Sequence, residues 1–299
     1  MGGKNLFSGK QHDHRRSIKR PIRNDRQPPS GGDFMGHQLH FALLQFAVEA
    51  GHEEANIAAA RRMMERAMEE GEARPDVIVL PELWNTGYCG ARFPALADED
   101  GKRTLEMMSE FCRRHRVNVV AGSIAMRLGS SVTNTSLVID RSGELTASYS
   151  KIHLFRLMDE HLHLSAGDST GMLALDGIPA GLIICYDLRF PELARKLALG
   201  GAKLLIVPAQ WPHPRLEHWR VLLRARAIEN QMAVIACNRV GTSGAEQFFG
   251  HSMVIGPWGD IVAEGGEGEE VVRASIDLDD VARARRTIPV FEDRRPELY

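Results

Sequence analysis

The sequence predicts an α/β fold of packed layers, with sheets inside and helices outside. Three observations point to it. Short apolar runs of strand length, such as VIVL and GLII, alternate early in the chain with longer segments whose apolar residues recur at helical spacing. Later, strand patterns come in pairs separated by turn residues. No repeat of about 20–50 residues is visible and no Gly/Pro/Ser-rich linker follows residue 36, so one domain of sandwiched layers is the economical reading.

Taken in order, HQLHFALLQFAVEA from His37 alternates and then runs apolar, which is a first strand. ANIAAARRMMERAMEEG has a helical apolar face and Gly71 as its stop. Val77 to Leu80 form a second buried strand ended by Pro81-Glu82, RTLEMMSEFCRRHRV is the next amphipathic helix, and NVVAGSIAM a third strand. VTNTSLVID and ELTASYSKIHLF flank a Ser142-Gly143 turn as a hairpin, and GMLALDGIPAGLIIC supplies two strands around Gly177. PELARKLALGG is a helix whose proline suits the first turn, where its missing N–H would be unpaired anyway. AKLLIVPAQW is another strand and RLEHWRVLLRARAIENQ a long helix. AVIACNRVG, FFGHSMVIGPWGDIVAE and EVVRASIDL continue the sheets, and DDVARARRTI is a last helix. Pro, Phe and Tyr in the final RRTIPVFEDRRPELY predict that this end packs on the body or across a partner copy.

Composition narrows the function class. At 299 residues, with 43% hydrophobic and 25% charged residues, the chain matches a soluble globular protein with a large core. No apolar run is long enough to span a membrane, and the basic N-terminus lacks the apolar segment of a secretory signal. Cys89, Cys112, Cys185 and Cys237 are widely spaced, which fits a reducing cytoplasm better than a disulfide framework. Residues 1–36 carry eight Lys/Arg against three Asp, leaving 29 basic and 36 acidic residues for 37–299. The extension has no apolar stripe and is expected to be disordered, a passive segment beside a domain at 37–299. It lacks interleaved aromatics and adjoins an acidic body, which argues against nucleic acid as a partner.

Three polar residues each end an apolar strand: Glu82 after VIVLP, Lys151 after ELTASYS, and Cys185 after GLII. The carboxyl end of a strand in an α/β sheet is where ligands bind. Singly, each reads equally as a rim ion pair or a core cysteine. Together they offer a nucleophile, a base and a cation, and a base plus a positive charge promotes the thiolate through which cysteine attacks. Burial would make Glu82 a better proton acceptor, while Lys151 would oppose that shift.

LPELWNTGY, YSKIHLF and CYDLRFPE, in this order, resemble the three signature blocks of the nitrilase, or carbon–nitrogen hydrolase, superfamily, and the resemblance covers roughly residues 38–299. It implies a four-layer α-β-β-α sandwich that pairs into homodimers, with Glu82 as general base, Lys151 stabilising the oxyanion and Cys185 as nucleophile. The family's second glutamate corresponds to Glu160 in FRLMDEHLHL, beside Lys151 or the catalytic water. The Tyr186 N–H, just after the nucleophile, is placed for an oxyanion hole, while Asp187 and Arg189 are expected to brace the elbow by ion pairing. Neither a metal nor an organic cofactor is required.

KIHLFRLMDEHLHLSAGD, AQWPHPRLEHW and RARAIENQ most resemble bacterial omega-amidases, including enzymes associated with methionine salvage, which cleave the terminal amide of 2-oxo acids such as 2-oxoglutaramate. Such a substrate carries a distal carboxylate, and Arg215 is the candidate to bind it, with pairing to Glu217 as the alternative. Trp211 and Trp84, with Phe155 and Tyr88, are candidate pocket walls or ordinary core. An aliphatic amidase, an N-carbamoyl-amide hydrolase or a nitrilase would carry the same triad; a non-catalytic scaffold would normally lose part of it. His153, His161, His163 and His213 lack ligand spacing and are expected to be structural. Cys89 and Cys237 read as packing residues, and Cys89 is close enough in sequence to the Glu82 block to approach the site.

Overall fold

The structure is a computed structural model, and it describes residues 38–299. The basic extension at residues 1–36 lies outside them. The first half of the domain contains β1 (Gln38–Gln45), α1 (Glu53–Glu69), β2 (Val77–Val79), α2 (Phe93–Leu96), β3 (Asp98–Glu99), α3 (Lys102–His115), β4 (Asn118–Val120), β5 (Ile124–Leu128), β6 (Ser131–Ile139), β7 (Leu145–Ser150) and the short α4 (Glu160–His163). The second half contains β8 (Gly171–Leu175), β9 (Ile178–Leu182), α5 (Pro191–Leu199), β10 (Leu204–Ala209), α6 (Leu216–Asn230), β11 (Ala233–Asn238), β12 (Val240–Ser243), β13 (Glu246–Phe249), β14 (Met253–Ile255), β15 (Ile261–Glu264), β16 (Glu270–Asp277) and α7 (Leu278–Thr287).

Two sheets hold the molecule. The eight-stranded sheet runs β16-β1-β2-β4-β6-β5-β3, with β7 also paired to β6. The six-stranded sheet runs β15-β14-β11-β10-β9-β8. β16 returns to the first sheet and pairs antiparallel with the whole of β1, from Gln38 opposite Asp277 to Gln45 opposite Glu270.

The layering follows from the two-residue period of the strands. Along β1, Leu39, Phe41 and Leu43 enter the core shared with the second sheet, whereas Ala42 and Leu44 face the opposite way. There they meet Ala60, Met63 and Ala67 of α1 and Met108 and Phe111 of α3. β2 repeats the pattern, Val77 and Val79 inward and Ile78 outward. The second sheet is flanked by α5 and α6, whose Leu193, Leu197, Leu223 and Ala227 join its core. The order is therefore helix, sheet, sheet, helix, as expected.

One element differs from the sequence reading. NVVAGSIAM is two strands, β4 and β5, paired with different parts of β6. Gly122 forces the break: its φ is +52°, and a Cβ there would sit 1.9 Å from the Pro81 carbonyl oxygen. The chain bends so that Ser123 can receive the segment leading to Glu82, with the Leu83 N–H donating to Ser123 Oγ at 2.9 Å. At the other end, Phe291 packs on the core and sits between the guanidiniums of Arg195 and Arg285 at 5.4 and 5.2 Å. Leu298 and Tyr299 are exposed. Among the described residues, no helix is long and apolar enough to cross a membrane.

Candidate active site

Glu82, Lys151 and Cys185 arrive from different strands and meet where the two sheets face each other. Glu82 follows β2 and lies against β10, its N–H donating to the Ala209 carbonyl. Lys151 is the first residue after β7, and its N–H donates to Asn134 of neighbouring β6 at 2.8 Å. Cys185 ends the run beyond β9, in a tight turn with φ of +47°. A side chain held in this region costs about 1–2 kcal/mol, and the turn is held by Asp187. Its carboxylate accepts from the Ile184 N–H at 3.0 Å, the Tyr149 hydroxyl at 2.7 Å and the His153 N–H at 3.0 Å. His153 Nδ1 also lies 2.7 Å from it. Asp187 therefore braces the elbow as expected, but through these donors and not through Arg189.

Glu82, Lys151, Glu160 and Asn134 are fully buried. Lys151 Nζ donates to Glu82 Oε1 at 2.8 Å and to Glu160 Oε2 at 2.7 Å. Asn134 Nδ2 reaches Oε1 of both glutamates, each at 2.9 Å. The Tyr88 hydroxyl donates to Glu82 Oε1 at 3.0 Å, so Tyr88 belongs to this cluster. Glu160 also accepts the Phe155 N–H at 2.7 Å, which ties the lysine to the loop that walls the cleft. Burial works against the Lys151 ammonium, but Glu160 and Glu82 outweigh it and hold its pKa above the ordinary lysine value. Burial, opposed by Lys151, raises the pKa of Glu160.

Burial pushes the Cys185 pKa well above the ordinary thiol value, and the Glu82 charge adds to the rise; Lys151 only partly offsets it. The lysine charge is shared between two carboxylates, so it does not generate a standing thiolate. The thiol hydrogen-bonds the Gln210 carbonyl at 3.8 Å, and the Gln210 N–H donates to Glu82 Oε2 at 2.9 Å. The backbone of a single residue thus joins nucleophile and base, its carbonyl meeting the thiol and its N–H the carboxylate.

Cys185 opens onto a narrow cleft walled by Phe155, Tyr186, Trp211, Arg189, Arg215, Gln210 and Pro212. The structure thus brings Tyr186, Trp211 and Arg215 to the nucleophile. Arg215 donates to the His213 carbonyl at 3.3 Å, while Glu217 pairs with Arg220. Arg189, expected in an ion pair, lies over the Trp211 ring at 4.8 Å instead. Among the described residues neither arginine has a carboxylate partner. Burial lowers the Arg189 pKa, and the nearby Arg215 charge contributes to the shift.

Trp84 does not wall the cleft. It is buried on the helix side of the first sheet, its Nε1 donating to the Ala121 carbonyl at 2.9 Å. Cys89 stays with the Phe93 cluster, away from the cleft, and its burial pushes its pKa up to about 11. Among the described residues no three His, Cys, Asp or Glu side chains converge as a metal set. Asn134 and Gln210 were missed by sequence reasoning, and Arg189 was read as an elbow brace instead of a cleft wall. The available signal was a buried-strand asparagine in VTNTSLVI.

This fold, with a glutamate, a lysine and a cysteine at facing strand ends, is that of the nitrilase superfamily. Residues 41–286 match the carbon–nitrogen hydrolase family, and the chain belongs to it. It is an enzyme that hydrolyses non-peptide C–N bonds. It is similar to the 2-oxoglutaramate amidase of Bacillus subtilis, 48% identical over 86% of this chain and 98% of the relative. Among solved structures it resembles a carbon–nitrogen hydrolase from Helicobacter pylori, with a TM-score of 0.82, 27% identity and coverage of 88% and 97% of the two chains. It also resembles Saccharomyces cerevisiae Nit3, described as a nitrilase-superfamily member, with a TM-score of 0.79, 30% identity and coverage of 87% and 97%.

Proposed function

We propose that this chain hydrolyses the terminal amide of small 2-oxo dicarboxylic acid monoamides, such as 2-oxoglutaramate, to the acid and ammonia. The observation that carries this reading is the cleft beside Cys185, where two guanidiniums lie without a carboxylate partner among the described residues. A substrate with a distal carboxylate would supply the missing anion, and a guanidinium binds it through paired donors. The similarity to the Bacillus subtilis enzyme supports the same choice.

The chemistry proceeds in two halves. With a protonated thiol, Glu82 takes the proton as Cys185 Sγ attacks the amide carbon, so the thiolate forms only with substrate bound. Lys151 and the Tyr186 N–H hold the tetrahedral oxyanion. Glu82 delivers the proton to departing ammonia and leaves a thioester. It then activates water, and hydrolysis releases the acid. Glu160 acts by holding Lys151 and the Phe155 backbone in register.

The role in methionine salvage implied by the loop resemblance, a cytoplasmic location and a homodimer belong to the same proposal. Half-exposed Leu199, Val221 and Ile228 on α5 and α6 support the homodimer, because they leave apolar surface on one outer layer. In the same reading, residues 37–299 form the catalytic domain and 1–36 a passive extension.

Ammonia release from 2-oxoglutaramate, beside glutamine, asparagine and a simple aliphatic amide, tests the substrate. The 2-oxo acid should be strongly preferred and Cys185→Ala should abolish turnover. Activity on the simple amide alone would move the assignment to an aliphatic amidase.

A further inference from the structure

Arg239 is fully buried and has no carboxylate partner among the described residues. Burial alone lowers its pKa, to about 9. A buried guanidinium is costly unless its donors are used. Here Nε donates to the Val240 carbonyl at 3.0 Å, Nη2 to the Thr242 carbonyl at 3.3 Å, and the group lies over the Phe248 ring at 4.2 Å. Its remaining hydrogen bond, from Nη1, goes to Oε1 of Gln210 at 3.2 Å.

That contact decides which way the Gln210 amide points. A guanidinium has donors and no acceptor, so only the oxygen of the amide can face it. The Nε2 end must then face the other way, where it donates to the Glu82 carbonyl at 2.6 Å and to the Leu83 carbonyl at 3.4 Å. Leu83 is itself at φ of +41°, so this backbone needs holding. The same Gln210 contacts the Glu82 carboxylate through its N–H and the Cys185 thiol through its carbonyl. Next to Arg239, Asn238 clamps Trp211 through both its N–H, at 2.7 Å, and its carbonyl, at 3.1 Å.

We infer that Arg239 and Gln210 are positioning residues for the hydrolytic reaction: Arg239 orients the Gln210 side chain, and Gln210 fixes Glu82 relative to Cys185. The inference rests on the proposed roles of Glu82 and Cys185. Neither is one of the two guanidiniums proposed to hold the substrate carboxylate, so their loss should reduce turnover more than binding. They act in series, so removing both costs no more than removing one.

The test is a double-mutant cycle with 2-oxoglutaramate, using Arg239→Met, Gln210→Met and the double variant, with kcat and KM read separately and thermal unfolding recorded. Each single variant should lose about tenfold or more in kcat, the size of a small misplacement of reacting groups, with KM within about twofold. The double variant should match the worse single. Gln210→Glu separates positioning from support of the fold. Its carboxylate keeps the contact with Arg239 but turns a donor into an acceptor facing the Glu82 carbonyl, so it should stay folded and still lose kcat. If Arg239→Met gives no folded protein, Gln210→Met and Gln210→Glu carry the test by the same readout. Additive losses, an effect confined to KM, or normal kcat in folded Gln210→Glu would overturn the inference. A wild-type chain inactive on every amide, or turnover that survives Cys185→Ala, would instead defeat the proposed function.

Discussion

Replacing Glu160 by glutamine changes little in shape and much in charge. Glu160 Oε2 accepts from Lys151 and from the Phe155 N–H, both at 2.7 Å, while Oε1 accepts from Asn134 at 2.9 Å. A glutamine can place its single oxygen at the Oε2 site and keep the first two contacts. Its amide nitrogen then faces the Asn134 Nδ2, donor against donor. One hydrogen bond is lost and a buried donor is left unmet, about 1–3 kcal/mol together, and the Lys151 contact is no longer charge-assisted, about 1 kcal/mol more. A net loss of about 3 kcal/mol corresponds to a fall in Tm of about 6–12 °C in a domain of this size. Lys151 would also keep one carboxylate partner in place of two. Its pKa, held up by Glu160 and Glu82 against burial, should fall, so the alkaline limb of the rate profile should move to lower pH. Scanning calorimetry and the pH dependence of kcat for Glu160→Gln check both. A Tm within about 1 °C of wild type with an unmoved alkaline limb would refute the reasoning.

Three further outcomes follow from the geometry. Because the Cys185 pKa is raised above the ordinary value of 9.0, its thiolate fraction grows with pH through the neutral range, so inactivation of free enzyme by iodoacetamide should accelerate up to pH 9 with no plateau; a plateau near neutrality would show a standing thiolate. Arg215→Leu should lower kcat/KM for 2-oxoglutaramate about 10–150-fold, the worth of one charged contact, while leaving a neutral amide almost unaffected. Gly122→Ala places a Cβ 1.9 Å from the Pro81 oxygen at a φ of +52°. It should destabilise the domain by about 3 kcal/mol or more and displace Glu82, seen as a lower Tm and lower kcat together.

The layers were legible because a helix buried on one face, such as α3, carries a strong period, and a strand buried on both faces, such as β1, reads as an apolar run. The break at Gly122 was not, because a bend imposed by a distant carbonyl leaves no local pattern. Within the site, Glu82, Lys151 and Cys185 each interrupt an apolar strand, which made them visible singly, and three motif blocks made them visible as a set. Their partners were harder. Asn134 lies in an ordinary strand sequence, and Gln210 and Arg239 become meaningful only when β10 and β11 bring them together. Arg189 was placed beside Asp187 by sequence proximity, yet the turn at Cys185 sends one inward to Tyr149 and the other to the cleft. Trp84 and Trp211 both lie in loops that follow a buried strand, and only the tertiary fold separates the core residue from the cleft wall.

The central claim is that Cys185 carries the acyl group. Acid-quenching the enzyme during turnover of 2-oxoglutaramate and weighing the peptide that contains Cys185 tests it directly. An adduct on that peptide equal in mass to the substrate acyl group, labile to hydroxylamine and absent in Cys185→Ala, is expected. Sustained ammonia release with an unmodified Cys185, or an adduct on another residue, would contradict it.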